Sequence, residues 1–178
     1  MAKKADNKKL FFLIALALGV VALVLYLVPM LKFRVDVDIL GVKGYNEVKF
    51  NGFNLMFGAK DLKGVTYNNV TGNTTEYTYE TSEIKMAVGV LISAILTIVG
   101  LVVAVLGKFV GKKNASIFKF VAFGAFVAAA VLVMALTKAT FVSANNIGES
   151  AAEYYHLAIG SYLICAANGL AGVGILLS

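Results

Sequence analysis

Four long apolar runs, at residues 10–31, 86–107, 117–137 and 157–177, dominate this chain of 178 residues. Each is 21 or 22 residues long. A helix rising about 1.5 Å per residue needs roughly 20 to cross the hydrocarbon core of a bilayer. Only Lys119, in the first turn of the third run, places a charge within any of them. A charge at mid-bilayer costs at least about 2.5 kcal/mol, and proteins that move ions or charged solutes usually retain some there for function. This chain retains none at depth. The pattern predicts an integral membrane α-helical protein, a four-helix transmembrane bundle with a small antiparallel β-sheet in the first extracellular segment. Its expected parts are a basic tail (1–9), a first span (10–31), a β-rich segment (32–85), a second span (86–107), a turn (108–116), a third span (117–137), a loop that begins the last helix (138–156) and a fourth span (157–177).

Composition agrees with that class. The chain is 60% hydrophobic with a mean hydropathy of +0.83, above the apolar fraction of an ordinary soluble domain. Its net charge of +6 comes from lysines, which in a membrane protein set topology and meet anionic headgroups. No basic stripe with interleaved aromatics occurs, so no nucleic-acid partner is expected. Cys165 is the only cysteine, which excludes an intramolecular disulfide and a cysteine-based metal cluster. Lys3, Lys4, Lys8 and Lys9 precede the first run as they would a secretion signal. That run is longer than a signal's roughly 7–15 apolar residues and ends at Val28, Pro29 and Met30 without a small-x-small cleavage site. An uncleaved first helix is expected.

Charge also predicts orientation. The tail holds four lysines against one aspartate, and Lys108, Lys112, Lys113 and Lys119 surround the short turn with no acid among them. Both regions belong in the cytoplasm by the positive-inside rule. The 32–85 segment has seven basic residues, but seven acids accompany them and its alternation implies a folded domain. The expected placement is multi-pass in the plasma membrane, with both termini cytoplasmic.

Leu31 to Ile39 alternates apolar and charged residues over nine positions, the period of a half-buried strand. Gly41 and Gly44 suggest a turn. Glu47 to Phe50 alternates again and meets Asn51-Gly52, which reads as a hairpin turn or a glycine bulge. Residues 73–80, with Tyr77 and Tyr79 on one face, read as a last strand, and 59–72 as loop. Three or four antiparallel strands are expected. Phe50, Phe53, Leu55 and Phe57 form the most apolar patch outside the spans. They are the candidate extracellular contact, with Phe53, Leu55 and Phe57 on one side of a strand. Packing of this patch beneath the sheet or against headgroups is the competing reading. Asn69 and Asn73 open glycosylation sequons.

At the helix ends, Ser82-Glu83 suits the second helix as a cap, Asn114 or Ser116 the third, and Ser150 to Glu153 forms a capping box before the fourth. Tyr154 and Tyr155 suit an interfacial position. His156, the only histidine, reads as a wet interfacial side chain. The fourth run is rich in small residues, which let helix backbones approach in lipid. Its candidate helix–helix contacts are Gly160, Cys165, Asn168 and Gly172, and Asn168 needs a hydrogen-bond partner at its depth. No catalytic triad, HExxH motif, phosphate loop or intramembrane carboxylate pair is present. No catalytic residue, metal or cofactor is therefore expected.

The ordering of helix, β-rich outer segment, helix, tight inner turn, helix, short outer loop and helix resembles the claudin and PMP22-like four-helix proteins, over nearly the whole chain. Gly52-Phe53-Asn54-Leu55 occupies the place of that family's outer-loop signature, although this chain lacks the signature's Trp and cysteines. The resemblance implies an outer sheet continuous with the helices that makes contacts between molecules. The expected function is a non-enzymatic membrane scaffold or interaction protein, whose partners are the bilayer together with another copy or a membrane or envelope protein. The alternative is an oligomeric pore or an accessory subunit of a transport or secretion complex.

Overall fold

The computed structural model of this protein describes residues 2–39, 42–60, 62–79, 83–110 and 112–178. Helix α1 (Ala2–Val24) continues through one 3-10 turn (Leu25–Leu27) and gives way to β1 (Pro29–Ile39) and β2 (Val42–Asn51). A short helix α2 (Gly52–Phe57) precedes β3 (Leu62–Asn68) and β4 (Thr74–Tyr79). Helices α3 (Val88–Phe109) and α4 (Lys112–Ala144) follow, then one turn α5 (Glu149–Ala152), strand β5 (Tyr155–Leu157) and helix α6 (Ile159–Leu177). Among the described residues, four helices are long and apolar enough to cross a membrane, with spans Asn7–Leu27, Val88–Phe109, Asn114–Ala144 and Ile159–Leu177.

The boundaries differ from the apolar runs for identifiable reasons. The first helix stops at Leu27 because Pro29 cannot donate to a continuing helix, and a proline is tolerated as the first residue of a strand. The third helix extends past Thr137 to Ala144. At about 1.5 Å per residue its 33 residues outreach a hydrocarbon core about 30 Å thick, so its last turns stand among the strands.

All five strands pair antiparallel in the order β4-β3-β2-β1-β5. Four come from the 32–85 segment, and the fifth is contributed by the connection before α6. The expectation of loop over 59–72 is corrected by β3. Its signal is masked by Gly64, whose missing side chain is replaced by the Tyr77 ring. A Cβ there would lie 2.4 Å from Tyr77 Cζ, and the two residues face each other in register. Gly44 belongs to β2 rather than to a turn, and Gly41 lies outside the described residues.

Asn51-Gly52 is neither hairpin nor bulge. Asn51 Oδ1 accepts from the Asn54 backbone N–H at 2.8 Å, so Asn51 is the N-cap of α2. Nor does Glu83 cap α3: that helix begins at Val88, and Glu83 instead forms an exposed ion pair with Lys60, which holds its carboxyl below the ordinary range. Ser82 lies outside the described residues. Asn114 and Ser116 fall inside α4, which starts at Lys112. Ser150 to Glu153 does not act as a capping box: Gly148 stands at the N-cap of the single turn α5 without a side-chain cap bond, Ser150 lies inside that turn, and β5 intervenes before α6.

Two cores result. Beneath the sheet, Phe50, Phe141 and Tyr155 pack with ring centroids 5.0–6.2 Å apart, above Tyr26, Met30, Leu31 and Leu55. Deeper in the bundle, Phe126 of α4 is fully buried in a socket of glycines from the other three long helices. A Cβ added at Gly19, Gly100 or Gly172 would sit 3.2, 3.1 or 3.4 Å from its atoms. The small residues are spaced to admit one large ring.

Candidate functional site

A polar node runs from the sheet end of the bundle, at Tyr26 and Ser93, to the middle of α6, at Asn168. Tyr26 Oη and Ser93 Oγ lie 2.8 Å apart, and Ser93 Oγ donates to the Ala129 carbonyl at 2.8 Å. Thr97 Oγ1 lies 3.0 Å from the Ser93 carbonyl and 3.1 Å from Asn168 Oδ1, and Asn168 Nδ2 is buried without a partner. A hydroxyl has one proton to donate, so Thr97 cannot serve both oxygens. Rotating the amide by half a turn lets Asn168 donate to Thr97 and Thr97 donate to Ser93. Asn168 then leaves only a carbonyl oxygen unpaired. Tyr26 donates to Ser93 in the same scheme, so α1, α3, α4 and α6 are joined by directed bonds. Each contributes about 0.6–2 kcal/mol in a membrane.

Asn168 thus meets the neighbouring helix that its burial demands. Tyr26, Ser93 and Thr97 were not singled out from the sequence, because hydroxyls within an apolar run barely change its hydropathy. Tyr26, Ser93, Thr97 and Asn168 meet here through hydroxyl and amide groups, with no carboxylate, imidazole or amine among them, and their bonds tie the helices together.

The other candidate helix contacts are also largely internal. Gly160 lies against the junction of the first helix and β1: a Cβ there would meet the Pro29 carbonyl oxygen at 2.5 Å. Beside it, Ser161 Oγ and the Ala158 N–H both donate to the Met30 carbonyl at 2.8 Å. Gly172 forms part of the Phe126 socket. Cys165 alone is half-buried at the outside, where it lines an open apolar groove with Val127, Ala130, Val131, Met134, Ala135 and Gly169.

The aromatic patch is split by its actual conformation. Phe50 and Leu55 are buried, whereas Phe53 and Phe57 are 46% and 68% exposed. Phe53, Leu55 and Phe57 do not share a strand face, because the segment is helical. Only Phe53 and Phe57 remain available for contact, with ring centroids 6.0 Å apart.

The sheet divides sharply between its faces. Phe33, Val48, Phe50 and Tyr77 point toward the bundle. There a cavity of about 250 Å³ is lined by Phe33, Phe50, Leu62, Phe141 and Tyr155, with Glu83, Lys85 and Asn145 supplying polar groups. The opposite face carries Arg34, Asp36, Glu47, Lys49 and Lys63. Across it runs a ladder in which the Arg34 guanidinium lies 4.1 Å from the Tyr45 ring centroid and Tyr45 stacks on Tyr67 at 5.3 Å. At one end, among the described residues, no strand pairs with the outer edge of β4. Thr74, Thr75, Glu76 and Thr78 are exposed there. His156 is also exposed, opposite Lys32 at the other edge. No described group of three or more His, Cys, Asp or Glu is placed to hold a metal.

No protein-family model matches this sequence, and no curated protein matches it significantly. The functional reading therefore stands on the geometry.

Proposed function

We propose that this protein is a non-enzymatic membrane scaffold or interaction protein of the plasma membrane, claudin-like in layout, that uses its sheet to hold another copy or a membrane or envelope protein. In this reading both termini are cytoplasmic and the sheet is outside. Lys8, Lys108 and Lys119 all lie toward the end of the bundle away from the strands, and Lys108 Nζ sits 4.0 Å from the Phe12 ring centroid.

The observation that carries the reading is the open edge at β4. A strand edge presents unpaired N–H and C=O groups that accept another strand, and proteins that avoid such pairing blunt their edges with lysine, proline or bulges. Over Thr74–Tyr79 the only charge is Glu76. The adjoining face displays tyrosine and arginine, residue types enriched among the anchors of protein contacts.

The test is recovery of the tagged protein from membranes in mild detergent, with and without Thr75→Lys and Thr78→Lys together. The proposal expects a cross-linked partner or dimer with the native edge and its loss in the variant, whose helices stay folded. An unchanged cross-linking pattern would remove the edge from consideration. The second reading, an oligomeric subunit assembled through helices, is favoured by the groove along α4 and α6 that Cys165 borders. It expects the same edge variant to assemble normally.

A further inference from the structure

We propose that α2 is a membrane-surface wedge, with Phe53 and Phe57 inserted at the headgroup–acyl boundary of the leaflet on the sheet side. Residues 50–59 contain no charged side chain. Asn51 starts the helix as its cap, and the helix then presents two unlike sides. Gly52, Leu55 and Met56 are buried, while the Phe53 and Phe57 rings, four residues apart, stand side by side outward.

Two contacts fix the height of this helix. Gly52 lies against the end of the first span, where an added Cβ would come 2.6 Å from Tyr26 Cδ1 and 2.8 Å from Met30 Sδ. The Leu55 carbonyl accepts from the Ala87 N–H at 2.7 Å, immediately before α3. The helix is thus clamped where one membrane-crossing segment ends and the next begins, over the outer end of the seam between α1 and α3.

The apolar surface continues downward from the wedge. Val24 and Leu27 at the end of the first span, and Met86, Val88 and Ile92 at the start of α3, are all substantially exposed. These belong to the surface that faces lipid, and the two phenylalanines extend it by one layer. Aromatic rings collect at this level of a bilayer, and helices with one apolar face lie in its plane. A protein contact is surrounded by a polar rim, which α2 lacks: Asn54 is its only polar side chain. Continuity with the lipid-facing surface identifies the occupant as the bilayer.

The chain contains no tryptophan, so a single introduced indole reports on its own position. Phe57→Trp, Phe53→Trp and, as a water-facing reference on β4, Thr78→Trp are placed in phosphatidylcholine vesicles at no more than one chain per vesicle. The wedge predicts blue-shifted emission for positions 57 and 53. It also predicts quenching several-fold stronger by a nitroxide near the headgroup than by one at the acyl-chain end, with little quenching by aqueous iodide. Position 78 should show the reverse sensitivity. Iodide quenching at 57 and 53 equal to that at 78 would place the helix in water and overturn the proposal. So would shielding from both iodide and nitroxide lipid, which would mean that protein covers the rings.

Discussion

The bundle and the sheet solve the problem of holding a chain together by different physics. Between the helices, lipid removes the hydrophobic advantage of burying one apolar side chain against another, so close packing and directed hydrogen bonds must supply specificity. This is what Phe126 in its glycine socket and the Tyr26–Ser93–Thr97–Asn168 node provide. The sheet projects beyond the spans and packs by burying aromatic side chains on one face while charging the other. The difference bears on function. The bundle's polar groups are spent almost entirely on one another, whereas the sheet ends in an edge with unused backbone groups.

The largest effect is expected at the socket. Phe126→Ala leaves a void bordered by glycines that cannot fill it, and a fully buried Phe replaced by Ala costs about 3–5 kcal/mol. A lowered melting temperature in detergent would be the readout. An unshifted transition would mean that the helices collapse around the gap and that the socket does not set their spacing.

A smaller loss is expected at the polar node. Ser93→Ala removes the 2.8 Å partner of Tyr26 and leaves its buried hydroxyl with Thr97 alone beside it, at a cost of up to about 1–3 kcal/mol. Tyr26→Phe in the same chain should recover part of that loss, because the under-bonded group is then gone. Additive losses would show that the two hydroxyls act separately, and the node would not be the tie between helices described here.

The contrast with the sheet's surface is sharpest for Glu83. Its ion pair with Lys60 is exposed, and exposed pairs contribute little. The carboxyl's pKa lies below its ordinary value, so any contribution is present above that ordinary value and fades as pH falls through the lowered one. Glu83→Gln should leave the melting temperature at neutral pH unchanged, and the native protein should lose nothing measurable until the solution is distinctly acidic. A marked drop at neutral pH would make this pair a structural clasp between α2–β3 and α3.

What the sequence disclosed follows the same division. Length and hydropathy locate four spans, because crossing a bilayer demands a fixed number of apolar residues. The unbroken alternation of β1 likewise places Phe33 toward the bundle and Arg34 away from it. Elements defined by a partner were not legible. The strand β3 is hidden by Gly64, which needs the Tyr77 ring of its partner strand β4. The three residues of β5 are too few to show a period, and the strand exists because β1 offers an edge. The turn-like Asn51-Gly52 pair starts a helix instead, which moved Leu55 into the core and left Phe53 and Phe57 outside. Ser93 and Thr97 gave no signal, since their value lies in what faces them.

The claim that the sheet edge is where this protein meets its partner, while the bundle's outer surface meets lipid, can be tested in one comparison. A photoreactive benzophenone side chain is introduced at Thr78 on β4 in one variant and at Val131, 58% exposed on α4, in another, and both are irradiated in native membranes. The account predicts a discrete protein adduct from position 78 and only lipid adducts from position 131. A protein adduct from position 131 with none from position 78 would contradict it and move the contact to the helices.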